Sequence, residues 1–214
     1  MPDYDISQLH ADTVAFYRLT LELHRQDPTA VHTVQAEEEQ LRVVQETPDA
    51  EALYRKFMEG GLALLVNRAM TADEALREAA NQDTIANPVL AQIHRDKATA
   101  LLKVTSYPEL MQVAEEWDTQ AGTERVRSGR LDSIINPLLP ALLAAEASPN
   151  PSMAQGPLAT IQSLTEELRK DYNLSLAELL ELPRIKVRIF YSPEQRQELV
   201  AIHARHFAGK EGSQ

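Results

Sequence analysis

Apolar positions recur three or four residues apart along most of the chain, which is the spacing of one face of an α-helix. Leu9, Phe16, Leu19 and Leu23 follow this spacing and predict a first helix over residues 7–26. Prolines that follow a small polar residue mark further helix starts, because the polar side chain can cap the helix and proline fits its first turn. Such pairs are Asp27-Pro28, Thr47-Pro48, Asn87-Pro88, Asn136-Pro137, Ser148-Pro149 and Ser192-Pro193. The pattern predicts a series of helices separated near these pairs.

One segment near the C-terminus departs from the helical spacing. Basic and apolar residues alternate there, which is the two-residue period of a half-buried β-strand, predicted over residues 184–191. A single strand cannot satisfy its own backbone groups, so its partner would be another segment, a second copy or a foreign peptide. It is either an edge strand whose charges deter aggregation or an anion-binding surface. The predicted fold is mainly α: a multi-helix bundle of about eight or nine helices with one short basic β-strand near the C-terminus.

Residues 148–157 form the most linker-like segment, with three prolines, a glycine and no charge. They predict a helical bundle domain over residues 1–147, a linker over 148–157 and a smaller C-terminal helical subdomain with one strand over 158–214. Within the first domain, Gly60-Gly61 predicts a kink or break, because glycine in a helix interior costs about 1 kcal/mol. Pro137 and Pro140 predict a kink or restart in the most apolar stretch.

Composition excludes several classes of site. The chain has 214 residues, no cysteine and a formal net charge of −11. Disulfides, thiolate metal sites and cysteine nucleophiles are therefore excluded, which fits a cytoplasmic location. The first residues are acidic and polar, unlike a signal peptide, and the longest uncharged apolar stretch, Ser133–Ala145, is too short to cross a bilayer. No membrane interaction is expected.

Charge is distributed unevenly along the chain. Residues 181–214 carry six bases against four acids, whereas the remainder is acidic. An acidic body repels phosphates and disfavours nucleic-acid binding. The candidate residues for binding a partner or an anion are Arg184, Lys186, Arg188, Arg196 and Arg205. The candidate interface aromatics are Trp117, Phe190 and Tyr191.

His203 and His206 are the histidine pair with metal-ligand spacing. Three residues apart, they share one side of a helix, within the apolar stripe that Leu199 and Phe207 help to form. A metal site needs a third or fourth ligand that this helix does not supply, so two packing histidines are the favoured interpretation. The sequence contains no catalytic motif, phosphate-binding glycine loop or cofactor signature, and no cofactor is predicted.

The features together favour a non-catalytic helical protein–protein interaction or assembly factor: an adaptor, chaperone or scaffold. It would use its acidic body and basic C-terminal tail to bind a protein partner or a second copy. The alternative is a nucleic-acid-associated regulator that binds through the basic strand and the final helix. A metal-dependent helical enzyme using His203 and His206 ranks third.

Overall fold

The structure, a computed structural model, describes residues 6–183, 187 and 191–207, without the side chains of Ile6, Ser7 and Leu9. Nine complete helices and no β-strand lie within these described ranges. In chain order they are α1 (Ile6–His24), α2 (Val31–Glu46), α3 (Ala50–Met58), α4 (Gly61–Thr84), α5 (Pro88–Leu101), α6 (Tyr107–Glu146), α7 (Pro151–Tyr172), α8 (Leu176–Glu181) and α9 (Pro193–Phe207). The mainly helical prediction is confirmed.

The helices form two compact units. The N-terminal unit comprises Met1–Thr84 with Val89–Gly122, and the C-terminal unit comprises Ile85–Pro88 with Thr123–Gln214. This division falls within α6 and differs from the boundary predicted at 148–157. The proline-rich segment instead begins α7, because the Asn150 side chain accepts a hydrogen bond from the Met153 N–H at 3.0 Å and Pro151 fits the first turn.

Prolines and glycines mark some of the predicted helix ends. Helices α5 and α9 begin at Pro88 and Pro193, as predicted. The break at the glycine pair is confirmed, because Gly60 adopts a left-handed φ of +75° between α3 and α4. The restart predicted at Pro137 and Pro140 does not occur, since α6 continues through both. Tertiary packing of the apolar residues around these prolines outweighs their poor helix propensity.

The β-strand predicted over residues 184–191 is not supported. Its members Arg184, Ile185, Lys186, Arg188, Ile189 and Phe190 lie outside the described residues. Val187 is helical and buried, and the Tyr191 N–H donates to its carbonyl at 3.1 Å, the bond between residues four apart in an α-helix. The strand prediction is wrong at Val187 because a helical turn satisfies its backbone locally, whereas a lone strand would need a partner.

The N-terminal unit has two apolar clusters. One cluster lies among the first four helices, each of which contributes one buried side chain: Tyr17, Val44, Leu53 and Leu62. The other joins α4 to the start of α6 and contains Leu64, Ala72, Ala75, Ala98, Leu101, Val104 and Leu110. Three of its buried residues are alanines on α4 and α5, so this core is built from small as well as large side chains.

A buried carboxylate connects α4 to the start of α2. Asp73, 3% exposed, accepts hydrogen bonds from the Thr33 N–H at 2.8 Å, the Thr33 hydroxyl at 2.6 Å and the His32 N–H at 3.2 Å. The first N–H groups of a helix have no partner within it, so Asp73 acts as a cap supplied by another helix. Its favourable interactions replace the hydration that burial removes.

Tyr17 is one titratable group whose environment predicts an alkaline pH effect. Burial, and next the negative charge of Glu37, raise the pKa of Tyr17, while a hydrogen bond with Gln40 opposes them. The folded chain therefore keeps the phenol proton at a pH at which the unfolded chain, with a pKa of about 10, releases it. The stability that this proton contributes is present below about pH 10 and is lost as pH rises through the folded-state pKa.

Urea unfolding at about pH 8 and about pH 11 measures this loss, and we expect it to be smaller in Tyr17→Phe than in the wild type. Tyr54→Phe is the matched control, because Tyr54 is exposed and its hydroxyl has no comparable burial. An equal alkaline loss in wild type and Tyr17→Phe would contradict the assignment.

The C-terminal unit has a single large core. Apolar doublets on the second half of α6 supply Ile134, Ile135, Leu138, Leu139 and Leu142. Helices α7, α8 and α9 complete it with Ile161, Leu168, Leu176, Leu179, Leu180, Leu199, Ile202 and Phe207, together with Val187. These α6 residues are buried, whereas Leu143, which completes the third doublet, is 48% exposed. This packing fixes α7, α8 and α9 around the cleft described next.

Candidate functional site

A cleft of about 610 Å³ opens in the C-terminal unit, which we call the C-terminal cleft. Its walls are the last turns of α7, the turn into α8, the start of α8 and the second half of α9. Arg169, Leu174, Val200, His203 and Phe207 are among its lining residues. Its volume lies within the range of about 300–1,000 Å³ that is typical of ligand pockets.

The sequence forms the α7–α8 turn by two local devices. Asn173 ends α7 in the left-handed conformation, with φ 52° and ψ 41°, which asparagine tolerates better than most residues. Ser175 and Glu178 then start α8 with a reciprocal capping box. Leu174, between them, is held by its N–H bond to the Leu168 carbonyl at 3.3 Å and lines the cleft.

Several polar groups of the cleft are already engaged. The Glu178 carboxylate accepts hydrogen bonds from the Ser175 N–H and hydroxyl, both at 2.8 Å. Both bonds lower the pKa of Glu178, and the bond from the backbone N–H has the larger effect. The carboxylate is therefore ionised at neutral pH and already bonded to Ser175. The Thr165 hydroxyl donates to the Ile161 carbonyl at 2.8 Å. By contrast, the Arg169 guanidinium and the Asn173 amide have no hydrogen-bond or ion-pair partner among the described residues.

The α9 wall of the cleft combines an imidazole with apolar surface. The His203 ring stacks on Phe207 with centroids 5.0 Å apart and an interplanar angle of 26°. Val200 lies one turn before His203 on the same helix and is partly buried. The α9 part of the lining is therefore apolar with one polar ring.

His203 and His206, the candidate metal ligands of the third-ranked prediction, lie in different surroundings. His203 lines the cleft, whereas His206 Nε2 lies 3.5 Å from Glu146 Oε2. No group of three histidine, aspartate or glutamate side chains suited to a metal ion occurs in the ranges that the structure describes. The described geometry thus offers His206 a single carboxylate neighbour and no third ligand.

The basic residues predicted for partner binding divide into two groups. Arg205 donates to Glu146 at 2.6 Å, and Arg196 donates to the Tyr191 carbonyl at 3.2 Å with Glu181 3.8 Å away. Both are therefore engaged within the chain. Arg184, Lys186 and Arg188 lie outside the described residues, and their role stays a prediction.

The predicted interface aromatics are placed as follows. Trp117 and Tyr191 are partly buried, and Phe190 lies outside the described residues. Burial raises the pKa of Tyr191. Neither described ring forms an exposed aromatic patch, and their interface role stays a prediction.

A second candidate site is an exposed apolar face of α1, which the sequence did not identify as exposed. Phe16, Leu19 and Leu23 of α1 are 60%, 59% and 57% exposed, and we call them the outer face of α1. They belong to the apolar series that predicted the helix, yet Tyr17 and Leu21 are the side chains that are buried. Helical spacing reveals an apolar face, but it does not reveal which of two apolar faces meets the core.

The chain matches no family model, no curated protein and no solved structure at a significant level. Within the described part of the chain, no helix is both long enough and apolar enough to cross a membrane.

Proposed function

We propose that the chain is a non-catalytic helical protein–protein interaction or assembly factor that pairs with a second copy through the outer face of α1. The observation that carries this proposal is the exposure of three neighbouring large apolar side chains on one helix face. Contiguous exposed apolar surface is characteristic of interaction sites, whereas isolated exposed apolar residues are common.

The outer face is separate from the face that holds α1 in its unit. At 100° per residue, the outer face and the buried positions Tyr17 and Leu21 are centred about 150° apart around α1. The buried face packs against α2 and α3, while the outer face retains solvent contact. Pairing through the outer face therefore leaves the core of the N-terminal unit unchanged.

Charge favours an antiparallel pair of α1 helices that cross near Leu19. Asp12 is the acidic side chain that shares the outer face, one turn before Phe16. In a parallel pair the two Asp12 side chains would lie together and repel, whereas antiparallel pairing places them at opposite ends. Phe16 of one copy then lies near Leu23 of its partner, which is the self-complementary arrangement of a two-fold interface.

The area involved indicates a weak association. Three side chains with more than half of their surface exposed offer roughly 300 Å² per copy, or roughly 600 Å² for the pair, about half of the total of about 1,200 Å² at the lower end of stable interfaces. The net charge of −11 adds long-range repulsion. The pair is thus expected to be concentration-dependent and strengthened by salt that screens this repulsion.

Sedimentation velocity from about 10 µM to about 500 µM tests the pairing, and the wild type is expected to shift from monomer toward dimer over this range. Leu19→Glu should remain monomeric, because it places two carboxylates at the crossing point. Met111→Glu is the matched control: it also replaces an exposed apolar residue of the N-terminal unit by a glutamate. A wild type that is monomeric throughout, or equal effects of the two variants, would overturn the proposal.

A further inference from the structure

We propose that the C-terminal cleft binds a carboxylate attached to an apolar chain or ring. This binding activity goes beyond the pairing of α1, since it uses different residues in the other unit. Either proposal can therefore fail without the other.

The polar groups that remain available in the cleft favour an anion. The Arg169 guanidinium offers five N–H donors in a planar fork, and no described residue occupies them. The Asn173 amide can add a further donor. Glu178 is the carboxylate in the lining of the cleft. It accepts hydrogen bonds from Ser175 and does not pair with Arg169. A carboxylate matches the guanidinium fork with two parallel hydrogen bonds.

The remaining lining favours an apolar group next to that carboxylate. Leu174 and Val200 are partly buried, and Phe207 is buried beneath the His203 ring. A small inorganic anion would contact Arg169 but would leave this apolar surface in water, without the gain from its burial. An aromatic or short aliphatic acid can contact both parts and is small enough to enter a 610 Å³ cleft.

Phenylpropanoate is a suitable probe, and its amide and acetate are the matched ligands. We expect saturable binding of phenylpropanoate to the full chain by calorimetry, with shifts of the backbone amide signals of Arg169, Leu174 and His203. The neutral amide lacks the charge and acetate lacks the ring, so each should bind at least about tenfold more weakly.

Substitutions at two neighbouring residues distinguish binding in the cleft from general electrostatic attraction. Arg169 and Lys170 both lie in the last turn of α7 and carry the same charge, but only Arg169 is among the cleft-lining residues. Arg169→Gln should weaken phenylpropanoate binding about tenfold, whereas Lys170→Gln should change it less than about twofold. Ala204→Leu should also weaken binding, because Ala204 lines the cleft and a larger side chain would fill it.

The outcomes are distinct. No saturable binding, equal affinity for the acid and its amide, or equal losses in Arg169→Gln and Lys170→Gln would each overturn the proposal.

An N-acetylated peptide that ends in phenylalanine is a second probe, which distinguishes a free acid from the C-terminus of a protein chain. If it binds more tightly than phenylpropanoate, the ligand carboxylate is a chain terminus; if it binds more weakly, the ligand is a free acid.

Discussion

Asp73→Asn is expected to lower the free energy of unfolding of the N-terminal unit by about 3 kcal/mol. The Asp73 carboxylate accepts three hydrogen bonds from Thr33 and His32 at the start of α2 while being 3% exposed. Asparagine has nearly the same shape, but its NH₂ group would meet an N–H or hydroxyl donor, leaving buried groups unsatisfied. The loss therefore comes from hydrogen bonding and charge rather than from a cavity.

Urea unfolding followed by Trp117 fluorescence measures this effect, because Trp117 is the chain's single tryptophan and lies in the same unit. Glu74→Gln is the matched control: it makes the corresponding acid-to-amide change at the next position, which is exposed. Its unfolding free energy should stay within about 0.5 kcal/mol of the wild type. Similar losses in both variants would show that Asp73 does not act as the cap of α2.

Leu142→Ala is expected to destabilise the C-terminal unit by about 3 kcal/mol, within the range for large-to-small changes in a packed core. Leu142 is fully buried among the side chains that α6, α7, α8 and α9 contribute to that core. Removing its methyl groups leaves a cavity that the surrounding helices fill only in part. The backbone contribution of the change is small, since leucine and alanine both favour helix.

Leu143→Ala gives the comparison, because Leu143 is the adjacent residue of the same helix and is 48% exposed. The same atoms are removed, so the difference between the two variants isolates burial. Urea unfolding by far-ultraviolet circular dichroism should show a loss at Leu143 smaller than about 1 kcal/mol. Equal losses at the two positions would contradict the orientation of α6.

Helix positions and part of the core could be predicted from local chemistry. The glycine break at Gly60 and the starts at Pro88 and Pro193 depend on backbone constraints that act within a few residues. All but one residue of the α6 doublets are buried, as is usual for so apolar a stretch. These features need little knowledge of the tertiary structure.

Most features that sequence reasoning missed depend on distant partners. Asp73, for example, lies within α4 but caps α2 through Thr33, 40 residues away in sequence. Val187 is the exception, since a local hydrogen bond from Tyr191 accompanies its helical conformation although its neighbours alternate like a strand. Arg205 pairs with Glu146, 59 residues distant, which no local pattern indicates. The cleft likewise forms where α7, α8 and α9 meet.

Disulfide cross-linking at Leu19 tests the pairing through the outer face of α1 most directly. The chain has no cysteine, so Leu19→Cys and the control Glu22→Cys each introduce one thiol on α1. A disulfide needs Cα atoms no more than about 7 Å apart, which the proposed crossing provides at Leu19 but not at Glu22. Rapid formation of covalent dimer by Leu19→Cys, with little from Glu22→Cys, is the predicted result. Equal rates for the two variants, or no covalent dimer from Leu19→Cys, would contradict it.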